Sequence, residues 1–330
     1  MKDFAGKFAV VTGGGTGMGR ELARQLIAEG CSVAMCDVSE RTMAETIRLA
    51  TADGIPQGAR ITAHHADVSI EGDLIRFRDE AVKAHDRDKL NLLFNNAGIG
   101  GGGSMFKTDR DEWERTFNIC WGGVYFGVRT FLPLMIPADE GHIVNTSSIN
   151  GFWASLGPRV PHTSYAAAKF AVKGFTEALI TDLRVNAPHI KCSVVMPGHI
   201  GTDISANSRK VINNTEDDKL SPAEMARARK RLAAGGVDAE ALSDEAVQGM
   251  IAEQARRFRE DAPMSAAQAA TVILNGVKDE RWRILVGDDA EVLDRMVRAD
   301  PEQAYEPDFS RRMAAEGGLR LASVTGPEPK

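Results

Sequence analysis

Tyr165 and Lys169 stand four residues apart in TSYAAAKFAVKGF, a stretch of helical character. That spacing projects a phenol and an ammonium from one helix face. A fixed positive charge beside a phenol favours the phenolate. The pair can therefore act as general acid and base below the free phenol's pKa of ~10. The same spacing also describes a packed tyrosine beside a surface lysine, so its meaning depends on the elements that position it.

FAVVT at 8–12 is an apolar, β-branched run that breaks into glycines. RELARQLIAEG at 20–30 follows, with Leu22, Leu26 and Ile27 on one face and Gly30 as a stop. Further strand candidates are SVAMCD at 32–37, RITAHHAD at 60–67, LNLLFNNAG at 90–98, HIVNTSS at 142–148, IKCSVVMPG at 190–198 and RILVG at 283–287. Helical patterns separate them. This order predicts a Rossmann-like doubly wound α/β fold, a seven-stranded parallel sheet with helices on both faces, because parallel strands need crossovers. The rhythm breaks between Ile204 and Ala262, where the chain turns polar and helical; Val247, Met250, Ile251 and Phe258 form one apolar stripe there. The expected organisation is a single catalytic domain over 1–316, with 204–262 as a helical insertion or lid and 317–330 as a flexible tail.

Between the first strand and first helix lies TGGGTGMG at 12–19. Gly13, Gly17 and Gly19 give G-x-x-x-G-x-G, which allows a tight turn while the helix N-terminus offers free N–H groups to a pyrophosphate. No G-K-[ST] follows, which argues against a P-loop. Asp37 closes the second strand, 24 positions after Gly13. There a carboxylate can accept hydrogen bonds from adenosine ribose hydroxyls and repel a 2′-phosphate, favouring NAD over NADP. Thr16 agrees by omission, since the glycine turn holds no cation. Arg41 leaves dual use open, and Asp37 also suits a turn-forming strand end.

Composition narrows the partners. The 330 residues carry a net charge of −6 with pI near 5.7, so no global positive field recruits nucleic acid or anionic membrane. Small molecules and copies of the chain itself are the expected partners. The N-terminus lacks the apolar run of a signal peptide and no segment is a candidate membrane span, which makes the cytoplasm the expected location. Cys31, Cys36, Cys120 and Cys192 form no C-x-x-C pair and read as small buried apolar residues. His64 and His65 face opposite sides of a strand, and no metal site is expected.

TGGGTGMG, Asp67-Val68, NNAG at 95–98, Asn118, SSING at 147–151, YAAAK at 165–169 and PGHIGT at 197–202 together resemble the short-chain dehydrogenase/reductase family. The likeness covers residues 1 to about 203 in motif order, with 283–287 similar to the family's last strand. It implies that Tyr165 is the acid/base at the substrate oxygen, that Lys169 lowers its pKa and holds the nicotinamide ribose, and that Ser148 polarises the same oxygen. Asn118 matches the position that holds a water near the lysine. The likeness also puts Asp67 and Val68 at the adenine and Asn95, Ala97 and Gly98 at the adenosine ribose. Gly13, Thr16, Gly17, Met18 and Gly19 are placed at the pyrophosphate turn, and Pro197, Gly198, Ile200 and Thr202 at the carboxamide. Homodimers or homotetramers are implied as well.

The interval from Ser148 to Tyr165 is longer than usual in the family and contains Pro158 and Pro161. It leaves Ser147 as a rival of Ser148, and Phe152 and Trp153 as either apolar substrate walls or loop packing. The leading expectation is an NAD-dependent oxidoreductase acting on a bulky, hydrophobic secondary alcohol or ketone. The alternatives are a non-catalytic NAD-binding regulator or scaffold, and redox-neutral chemistry on held NAD.

Overall fold

A computed structural model of the chain describes residues 1–157, 160–234 and 237–318. Pro158 and the expected tail from 319 onward lie outside the described residues.

The chain runs β1 (Phe8–Thr12), α1 (Gly17–Ala28), β2 (Ser32–Asp37), α2 (Glu40–Asp53), β3 (Ile61–His65), α3 (Glu71–His85) and β4 (Leu92–Asn95). It continues with α4 (Arg110–Phe117), a π-helical turn (Asn118–Gly122), α5 (Gly123–Met135), β5 (Gly141–Thr146), α6 (Thr163–Asn186) and β6 (Ile190–Pro197). After β7 (Ile200–Gly201) come α7 (Ile204–Ile212), α8 (Pro222–Ala234), α9 (Asp244–Glu260), β8 (Met264–Ser265) and α10 (Ala266–Lys278). The last elements are β9 (Arg283–Val286), α11 (Asp288–Ala299) and α12 (Phe309–Ala315). Seven parallel strands are ordered β3-β2-β1-β4-β5-β6-β9. The fold is the Rossmann-like doubly wound sheet that the strand and helix alternation predicts.

Alternate strand residues feed opposite cores. Ala9 and Val11 join Leu22, Leu26, Ile273 and Leu274 on one face; Phe8 and Val10 join Leu74, Phe77, Phe131 and Leu179 on the other. Each such fully buried large side chain contributes roughly 1.5–3 kcal/mol. All four cysteines are free and buried. Burial pushes the Cys31 and Cys36 thiols well up, and that of Cys192 up to about 12.

The polar excursion is bracketed by a small parallel ladder, in which Ile200 pairs with Met264 and Gly201 with Ser265. Within it α8 and α9 share a separate cluster around Met225, Ala228 and Val247, with Ile251 against it. Met250 is exposed, whereas the Phe258 ring stacks 4.5 Å from that of His199. No helix among the described residues is long and apolar enough to cross a membrane.

His142 in β5 makes folding pH-dependent. Ser193 Oγ donates to the Arg281 carbonyl (2.6 Å) and so accepts from His142 Nε2–H (2.7 Å). Nδ1 has no partner among the described residues. Burial, the first cause, lowers this imidazole from 6.5 to about 4. A depressed histidine stabilises fully above its unfolded value and loses that contribution as pH falls towards the folded one. His85 and His162 are lowered likewise, so of the stability that thermal unfolding shows lost between pH 7 and about pH 5, His142→Gln should remove the His142 share, on the order of 2 kcal/mol.

Candidate active site

The switch point of the sheet lies where β2 and β4 diverge from β1, and the chain is cut to fit there. Thr12 Oγ1 accepts from the Asn96 and Ala97 N–H groups, each at 3.0 Å, tying the ends of β1 and β4 together. Gly13 has φ +68°, and a Cβ on it would lie 2.8 Å from Ala97 Cα. A Cβ on Gly19 would meet the Gly13 carbonyl, 2.7 Å from its carbon. At both positions a side chain would collide with backbone, so only glycine permits this close approach. Helix α1 has no acidic residue in its first turn and no side-chain cap; Thr16 Oγ1 instead accepts from Asn207 Nδ2 (3.0 Å).

Asp37 Oδ2 accepts from the Gly15 N–H (3.0 Å) and Oδ1 from that of Ser39 (3.2 Å). Burial raises its carboxyl above the ordinary range, with the Gly15 and Ser39 bonds acting against it. The cleft between these elements encloses about 600 Å³, within the range of cofactor sites. Among the residues nominated from sequence, Gly13, Thr16, Gly17, Met18, Asp37, Asp67, Val68, Ala97, Gly98 and Thr202 line it. A dinucleotide fits this set: a tight glycine turn, an uncapped helix start, and a carboxylate at the end of β2.

Other nominated residues stand elsewhere. Asn95 is buried beneath the cleft, donating to Asn145 Oδ1 (2.8 Å) while Asn145 donates to Thr176 Oγ1 (3.0 Å); Asn96 takes the place in the cleft wall. Asp67 is engaged by Ser69 and by Arg115 (2.6 Å). Burial alone would raise its carboxyl, but these partners hold it below the usual range. Pro197 and Ile200 are buried in the β6–β7 turn, which Asp289 holds by accepting from the His199 N–H (2.7 Å). A Cβ on Gly198 would meet that carboxylate.

Helix α6 is locked onto β5 by three bonds. Asn145 reaches Thr176 as above, Ser147 Oγ donates to the Lys169 carbonyl (2.7 Å), and Lys169 Nζ donates to the Thr146 carbonyl (2.9 Å). Ser147 is thereby committed to structure. Ser148 Oγ accepts the Asn150 N–H (3.1 Å). Lys169 Nζ lies 5.4 Å from the Tyr165 ring centroid and 3.4 Å from where a Gly98 Cβ would stand. His162 stacks on Tyr165 at 4.7 Å. Burial raises the Tyr165 phenol, with Cys120 adding to the rise and the neighbouring Ser148 hydroxyl pulling the other way. Burial likewise lowers Lys169. In the protein alone, burial sets the direction for both groups, raising the phenol and lowering the ammonium.

Asn118 is exposed at the start of the π-helical turn, where the helix winding changes, and the buried side chains of that turn are Ile119 and Cys120. Cys120 Sγ donates to the Ile99 carbonyl (3.2 Å) and lies 3.7 Å from the same Gly98 point that Lys169 approaches. Trp153 is likewise no pocket wall. It is 1% exposed, packs with Ile149, Leu293, Phe309 and Met313, and donates through Nε1 to the Ala304 carbonyl (2.7 Å). Ala154 N–H donates to Tyr305 Oη (3.0 Å). Cleft residues that the sequence did not single out include Ile99, Ile119, Asn207 and Glu216. Asn96 alone had a motif to mark it, as the second residue of NNAG.

A family profile described as short chain dehydrogenase matches residues 7–213. The putative oxidoreductase SadH of Mycobacterium tuberculosis is 33% identical over 298 residues, covering 90% of this chain and 92% of that protein. Epidermal retinol dehydrogenase 2 of Mus musculus is 33% identical over 202 residues, covering 61% and 62%. Among solved structures, a short chain dehydrogenase/reductase from Burkholderia phymatum in complex with NAD is 27% identical with a TM-score of 0.73, covering 93% of this chain and 98% of that one. A metagenomic short-chain oxidoreductase in complex with NADP is 30% identical with a TM-score of 0.52, covering 59% and 83%.

Proposed function

This chain belongs to the short chain dehydrogenase family of oxidoreductases, and from that premise we propose that it moves hydride between NAD and a secondary alcohol or ketone. The observation that carries the reading is Tyr165 between the Ser148 hydroxyl and Lys169, whose Nζ approaches Gly98 in the cleft lining. The chemistry that a bound nicotinamide dinucleotide supplies is hydride exchange with the substrate carbon. Tyr165 Oη gives or takes the proton of the substrate oxygen, and Ser148 Oγ steadies charge growing on that oxygen. Lys169 Nζ orients the ribose and lends positive charge to the phenol. Gly13, Gly17 and the start of α1 hold the pyrophosphate, and Asp37 receives the ribose hydroxyls, which favours NAD over NADP. In this reading 1–316 form one catalytic domain, with 204–262 as its lid, and the substrate is bulky and hydrophobic.

Burial keeps the Tyr165 phenol protonated at neutral pH, ready to donate in the reducing direction. Oxidation needs that proton removed, so its rate should climb with pH. The test is a panel of secondary alcohols and ketones with NAD and NADP, followed by nicotinamide absorbance. Reduced cofactor should appear in step with ketone, faster at alkaline pH. Redox-neutral turnover, or none across the panel, would refute the reading.

A further inference from the structure

The cations around the Asp37 end of the cleft are matched by acids and carbonyls, two of them by acids of the segment that follows α7. Lys210 Nζ lies 2.6 Å from Asp218 Oδ1, and Arg41 Nη2 lies 3.8 Å from Glu216 Oε2. Arg20 is held by the Gly15 carbonyl (2.6 Å) and Arg115 by Asp67 (2.6 Å). Arg41 and Glu216 line the same cleft wall as Asp37, although Glu216 is far along the chain. Both side chains are largely exposed, so the pair is loose and its arginine is readily released. The field of Glu216 also reaches Asp37, adding to the rise that burial causes there.

We propose that Glu216 is a specificity-determining residue: it competes for Arg41, a cation in the same cleft lining as Asp37, and adds a second carboxylate to that lining. The inference rests on reading the cleft as a dinucleotide site and deepens its NAD preference. A 2′-phosphate approaching Asp37 meets two anions, while the arginine that could receive it is engaged. The insertion thus does more than cover the cleft; it edits which dinucleotide enters.

Binding of NAD and NADP is titrated by tryptophan fluorescence for the parent, Glu216→Gln, and Glu216→Gln with Arg41→Ala, without any turnover. The parent should hold NAD more tightly. In Glu216→Gln, NADP should bind about fivefold tighter with NAD changed less than about twofold, a gain of the size that a loose surface pair and a screened repulsion allow. Most of that gain should vanish with Arg41→Ala, and it should shrink as salt rises. An NADP/NAD ratio unchanged by Glu216→Gln, in a parent that prefers NAD, overturns the role of Glu216 alone. A gain of equal size without Arg41 does the same. Equal affinities in the parent overturn the NAD preference, and Glu216 with it.

Discussion

Replacing Tyr165 with phenylalanine should lower turnover by about 10³-fold and leave NAD affinity within about twofold of the parent. The ring that stacks on His162 and lies below Lys169 is retained, so the variant removes one oxygen and little else. That oxygen is the only phenol in the group around Ser148 and Lys169. Losing it removes both the proton path and one hydrogen bond to the charge developing on the substrate oxygen. Because the interaction matters most in the transition state, kcat should fall while KM moves little. Steady-state kinetics paired with fluorescence titration of NAD checks both halves. A loss smaller than about tenfold would take Tyr165 out of the proton path.

Trp153→Ala should destabilise the protein by roughly 3–5 kcal/mol in urea denaturation, the range for emptying a large aromatic site in a packed core. Its indole is fully enclosed by Ile149 and the C-terminal residues Leu293, Phe309 and Met313. The Nε1 bond to Ala304 is lost as well. Trp153→Phe keeps most of the packing and should cost roughly 1–2 kcal/mol through the orphaned carbonyl and the lost volume. Turnover in the alanine variant should fall, since the Ser148 loop loses its anchor, whereas NAD affinity should hold because the glycine turn and Asp37 stand on other elements. Denaturation curves for the two variants, compared with the parent, separate packing from the hydrogen bond.

The sheet was legible because its central strands are buried on both faces. β1 and β2 span the apolar runs FAVVT and SVAMCD residue for residue, and a doubly wound order follows from their alternation with helices. Most of the glycine turn was legible for the same kind of reason, since Gly13 and Gly19 mark places where a Cβ would meet backbone. Asn118 was not. Counting along a regular helix hides the π-helical turn over 118–122, whose wider winding leaves Asn118 at the surface and turns Cys120 inward. Asn95 and Asn96 differ by one strand position, and alternation sends the first into the sheet–helix layer and the second to the cleft. Trp153 could not be placed from sequence, because its partners lie far along the chain and no local pattern announces them.

That long separation bears on how the protein is made. The Trp153 indole and its Ala304 acceptor are 151 residues apart, which at 5–20 residues per second is roughly 8–30 s of synthesis. During this interval β1 to β6 and the glycine turn can be in place while Trp153 still lacks Leu293, Ala304, Phe309 and Met313. The nascent chain therefore presents a bare aromatic surface at Trp153 until its last helices emerge. A chaperone that shelters this surface late in translation would guard the step at which the active-site loop becomes fixed.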